Sequence, residues 1–121
     1  MAEYLFSPRE QDAIRELGRA GFRYERETKK TIEFVHDASG QVINLNREHG
    51  SLALVFGFGD VTKVHGVPGI SVTGTRSSSN FSRLATGPTR TGKNNHQGIQ
   101  LSLVDRDAIA IAIERMGGGI L

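Results

Sequence analysis

Residues 87–95 read GPTRTGKNN. Gly87, four residues, then Gly92 and Lys93 reproduce most of a nucleotide-binding loop, in which backbone amides cradle phosphates and a lysine reaches the outer ones. That loop ends in Ser or Thr, whose hydroxyl holds magnesium, and Asn94 stands in its place. The loop also has to lie between a strand and a helix, so that the helix N-terminus faces the phosphate. Here Gln97, Gly98 and the alternating segment GIQLSLV follow, which read as a strand. No later Asp closes an apolar strand to complete a magnesium site. The context argues against nucleotide hydrolysis and leaves a basic loop of anion-binding composition.

That composition extends beyond the nine residues. Arg76, Arg83, Arg90 and Lys93 fall within eighteen residues. Ser79, Asn80 and Asn94 add hydroxyl and amide donors, and the glycines let backbone approach an anion closely. Arg and Lys charge with polar side chains and exposed amides is the inventory that proteins use on phosphates. His96 donates to phosphate when protonated, or is a plain turn histidine. Phe81 either stacks on a base or pins the loop to the core. A solvated surface loop has a similar look. Charge placement separates the two: residues 61–104 carry Lys63, Arg76, Arg83, Arg90 and Lys93 and no acid, although the whole chain is only +2. Local positive potential attracts anions whatever the net charge.

Other chemistry has little support. His36, His49, His65 and His96 show no i, i+4 pair and no neighbouring carboxylate at metal-ligand spacing. Glu33, Asp37 and Asp60 do not form the acid cluster of a metal-dependent nuclease, and Asp60-x-x-Lys63 is a chance-level match. There is no cysteine, so thiolate catalysis, disulfides and cysteine zinc sites are excluded. No cofactor motif is present. With one interleaved aromatic and no markedly basic helix, backbone contact is favoured over a stacking platform or a helix-turn-helix.

The elements that position this loop follow from periodicity. Ser7, Pro8 and Glu10 form a capping box before a helix at 8–20, whose stripe is Ala13, Ile14, Leu17 and Ala20. Short strands follow at 22–28, 31–36, 41–46, 51–58, 61–65 and 69–74, with turns too tight for parallel crossovers. The apolar run at 51–58 suits a central strand covered on both faces. Mixed charges in 22–28 suit an exposed face or edge. A long basic loop spans 75–97, a strand resumes at 98–104, and Asp105 caps a closing helix with Ile109, Ala112, Ile113 and Met116 on its core side.

These readings combine into an α+β fold. An antiparallel sheet of about six strands carries the N-terminal and C-terminal helices on one face, in a single domain over 1–121. The other face is solvated or meets a partner. No apolar run reaches the roughly 18–20 residues of a membrane span, and MAEYLFSPRE is not a signal peptide, so a cytoplasmic protein is expected. The expected function is non-catalytic binding of a phosphate-bearing partner, nucleic acid before others, through Arg76, Ser79, Asn80, Arg83, Arg90, Lys93, Asn94 and His96. The rivals are capture of a small nucleotide ligand and a protein-interaction module. The module would be an inhibitor or immunity-type protein of a mobile element whose basic loop meets an acidic protein surface. A homodimer is compatible with the apolar tail Ile120-Leu121, which docks on a second subunit or folds back on the core.

Overall fold

A computed structural model describes residues 6–78, 81, 83–88 and 94–118. The element order is α1 (Pro8–Arg19), β1 (Phe22–Glu27), β2 (Thr31–His36), β3 (Val42–Asn46), β4 (Leu52–Phe56), a 3-10 turn (Val61–Val64), β5 (Ile70–Ser77), β6 (Thr86–Pro88), β7 (Asn94–Leu103) and α2 (Arg106–Arg115). The strands form one antiparallel sheet in the order β1-β2-β3-β4-β7-β5, with β6 pairing β7. The fold is α+β, with a helix near each end of the chain.

Local chemistry sets the helix ends. The Ser7 hydroxyl accepts from Glu10 N at 3.2 Å, and Glu10 Oε1 accepts from Ser7 N at 3.0 Å, which completes the capping box. Asp105 caps α2 by accepting from Ala108 N. Both helices cover one face of the sheet. Ala13 and Leu17 of α1 and Ile109, Ala112 and Ile113 of α2 pack with Ile32, Phe34, Ile43, Leu45, Leu54, Phe56, Leu101 and Leu103. Burying each Leu, Ile or Phe contributes roughly 1.5–3 kcal/mol, so this face is the main source of stability. β4 is buried along its whole length, as a central strand with both faces covered should be.

Two expectations need correction. The 61–65 segment is not a strand. Asp60 accepts from Thr62 N and Thr62 Oγ1 and caps a 3-10 turn, and Val64 alone in it is buried. The 75–97 segment is not one loop. β5 runs on to Ser77, β7 begins at Asn94, and Thr86–Pro88 pairs with the start of β7. The polar sequence there forms strands because β5 and β7 pair with each other, Arg76 opposite Gly98 and Ser77 opposite Gln97. The antiparallel sheet has seven strands, the short β6 among them.

The face away from the helices is covered in part as well. Phe81 and Leu84 pack on Val35, Val42 and Val55 as a second, smaller cluster. Leu84 fits because Gly57 and Gly98 carry no side chain: a Cβ at Gly57 would lie 2.5 Å from Leu84 Cδ2, and one at Gly98 3.0 Å from Leu84 Cδ1.

Candidate nucleic-acid interface

The basic stretch begins on β5 and crosses the face away from the helices, where Phe81 and Leu84 pack on Val35, Val42 and Val55. β5 is an edge strand, and its bulge between Val72 and Gly74, where Gly74 has φ +110°, twists the edge as protected edges do. Register places Arg76 on the face away from the helices, level with Gly98. Arg76 is exposed. Asn94 opens β7, opposite Pro88, and is exposed too. These two residues stand free for a partner. Ser79, Asn80, Arg90 and Lys93 lie outside the described residues, as do residues 119–121 of the apolar tail.

Arg83 and His96 are committed within the chain. Arg83 Nε donates to Glu33 Oε2 at 3.0 Å and Nη2 donates to Glu25 Oε2 at 2.8 Å. Its charge is therefore balanced by two carboxylates. His96 Nδ1 lies 2.6 Å from the Leu84 carbonyl oxygen. A carbonyl only accepts, so Nδ1 carries the proton and the ring ties β7 to the segment around Leu84. Phe81 is buried and pins that segment to the sheet, which settles its two sequence readings in favour of packing.

The carboxylates that Arg83 meets are shared with other arginines. Arg23 bonds Asp37 at 2.6 Å and also Glu25, and the two carboxylates raise its pKa, the Asp37 hydrogen bond most. Glu33 faces Arg83 and, at 3.7 Å, Arg26. Arg76 enters no ion pair among the described residues, so its field is not cancelled locally. At the opposite end, Arg47 holds Glu10 and Glu27 at 3.0 and 2.8 Å and ties α1 to the sheet. Burial works against its charge, but hydrogen bonds to both carboxylates raise its pKa overall.

Two open grooves differ in what they admit. One of about 540 Å³ between the helices is bordered by Glu16, Arg19 and Glu114, whose net charge is negative and disfavours a phosphate. The other, about 280 Å³, lies beside β5 between Phe58, Thr75, Gln97 and Ile99 and adjoins the acid-free stretch. Among the described residues no three or more His, Asp and Glu side chains gather to hold a metal. His36 ends β2 and His49 lies in the turn before β4, and each takes a backbone N–H on Nδ1, from Ser39 and Ser51.

Sequence reasoning missed a polar group on the face away from the helices. Thr31, Glu33, Asn44 and Gln100 are all buried. Alternation in TIEFVH and QVINLN puts Glu33 and Asn44 opposite apolar neighbours, the pattern of a solvated face. The signal available was the pair Phe81 and Leu84, apolar residues inside a polar run. No helix among the described residues is long and apolar enough to cross a membrane. Comparison with protein-family models, with curated proteins and with solved structures returns no match.

Proposed function

We propose that this protein binds nucleic acid without catalysis, through the β5 edge and the acid-free stretch that joins it to β7. Arg76 and Asn94 contact the phosphate backbone, and Arg90, Lys93, Ser79 and Asn80 of the same stretch add charge and donors. One observation carries the reading. Arg76 is an exposed cation in a segment without acids, and it enters no ion pair among the described residues. A phosphate there meets positive potential with no competing internal acceptor. Arg83 and His96 leave the list of first contacts, since both have internal partners.

Fluorescence anisotropy with single-stranded and duplex DNA across a salt series tests this. With about three cations engaged, log K should fall against log salt with a slope of roughly −2 for single strands and −3 for duplex. Arg76→Ala should weaken binding for every sequence and lower the slope by about one. No binding at low salt defeats the proposal.

A second reading has its own observation. The β5 edge leaves backbone groups unpaired and Val72 is 38% exposed, which suits addition of a strand from a protein partner. Binding that survives high salt and ignores Arg76→Ala would favour that module.

A further inference from the structure

Register aligns a row of residues across the face away from the helices: Arg26, Glu33, Asn44, Val55, Gln100 and Gly74, one from each strand of the main path. The polar members are satisfied on both sides of the centre. Glu33 holds Arg83 and Arg26. Gln100 accepts from Asn46 Nδ2 at 2.8 Å and donates to Thr73 Oγ1 at 3.0 Å. Asn44, at the centre, is fully buried, and among the described residues neither its Nδ2 nor its Oδ1 has a hydrogen-bond partner. An amide has two donors and two acceptor sites, and sheet positions that need only packing are filled by Val, as at Val55 next to it.

What lies over this row is attached by replaceable contacts. Phe81 and Leu84 rest on Val35, Val42 and Val55. Arg83, whose side chain is 49% exposed, reaches from solvent to Glu33, which is 1% exposed. Among the described residues the attachment also includes the Arg83 bond to Glu25, the His96 bond to Leu84, the Gln97 N–H donating to the Ala85 carbonyl at 3.0 Å and the three-residue ladder of β6. A polyanion competes directly for Arg83, and once it is drawn away Glu33 needs other donors beside an amide already without partners.

We propose that Phe81 and residues 83–88 cover a base-recognition site formed by Glu33 and Asn44, and that its ligand is an unpaired guanine of a bound strand. This rests on the nucleic-acid reading above and names the base that reading leaves open. Guanine alone among the four bases presents two adjacent N–H donors next to a carbonyl acceptor on its pairing edge, and single-stranded recognition works through such edges. The carboxylate of Glu33 accepts the two N–H groups, and Asn44 Nδ2 donates to the carbonyl. Arg83 exchanges its carboxylates for a strand phosphate, and Arg26 stays beside Glu33.

The test uses thymine octanucleotides with and without one central guanine, and the wild-type chain. The guanine strand should bind about tenfold or more tightly, the discrimination of one good bidentate contact. Asn44→Leu, or Asn44→Val should the first variant not fold, should abolish the difference, keep the affinity for the thymine strand, and leave thermal stability equal or higher. A nuclear magnetic resonance titration of the wild-type chain with guanosine monophosphate needs no variant: the Asn44 side-chain amide resonances should shift, and thymidine monophosphate should leave them in place. Equal binding of both strands, or a guanine preference that persists without Asn44, overturns this inference and leaves phosphate binding standing. A bound water at the Asn44 amide that persists in saturating guanosine monophosphate also overturns it. No binding of either strand together with unshifted Asn44 resonances overturns both readings.

Discussion

Replacing Arg83 by Ala separates an internal ion pair from a surface anion contact. Its guanidinium bonds Glu33 at 3.0 Å and Glu25 at 2.8 Å. Breaking a fully buried pair by removing one partner costs about 3–5 kcal/mol, because the other charge is left without compensation. Here only Glu33 is deeply buried, and Arg83 is half exposed, so water screens part of the interaction. Arg26 also remains 3.7 Å from Glu33. The loss should therefore be about 1–3 kcal/mol, larger than the ±0.5 kcal/mol typical of a surface change. Urea unfolding at neutral pH measures it through the midpoint, with the m-value expected to stay constant. A double-mutant cycle with Glu33→Gln then isolates the pair, and a coupling of about 1 kcal/mol or more is expected. Arg76→Ala serves as the control, since it should change binding and not stability. If Arg83→Ala unfolds at the wild-type midpoint and the coupling is zero, Arg83 is a solvated cation. It would then return to the phosphate contacts, and the cover over Asn44 would lose its fastening.

Two further outcomes follow from the ionic contacts. Arg47→Ala removes the partner of Glu10 and Glu27 and the bond to the Thr28 carbonyl, all partly buried; chemical denaturation should show a loss of about 2–4 kcal/mol after allowance for exposure. Asp60 is held below its ordinary carboxylate pKa by the Thr62 side-chain hydrogen bond first and the Thr62 backbone second. A lowered folded-state pKa means that the stabilisation is present above the ordinary value and is lost as pH falls through the lowered one. The stability gap between wild type and Asp60→Asn should therefore be constant at neutral pH and narrow below about pH 4, measured by thermal unfolding across pH.

The parts legible in the sequence are those fixed by neighbours in the chain. The capping box at Ser7 and Glu10 and the cap at Asp105 need only residues three apart, so both helices could be placed to within a residue or two. Alternation located β1 to β3, whose Phe22, Ile32, Phe34, Ile43 and Leu45 face the helices, and a continuous apolar run located β4, which is buried along its whole length. It failed at 61–65, where Val61 and Val64 are three apart and suit a 3-10 turn as well as VTKVH suits a strand. It was silent at the ends of β5 and β7, which pair through backbone and bury little, so that hydrophobic period carries no information about them. Arg83 could not be matched to Glu33 and Glu25, fifty and fifty-eight residues away, because nothing local specifies a pairing across the sheet.

The two faces of the sheet differ in how far their contacts can be exchanged, and this bears on where function sits. On the helical face Ile32, Phe34, Ile43, Leu54 and Leu101 meet the side chains of α1 and α2, and separating those layers exposes apolar surface that nothing in water replaces. On the other face the covering segment brings two apolar side chains, one shared guanidinium and one histidine bond, over a row that includes a buried carboxylate and an amide with no partner among the described residues. The contacts of Arg83 there have equivalents that a nucleic-acid strand can supply: phosphate for the carboxylates of Arg83, base N–H groups for the guanidinium on Glu33. Local opening draws on the weakest contacts of a structure. The acid-free charge that brings a polyanion to this side of the molecule therefore acts beside the one layer that a polyanion is equipped to displace.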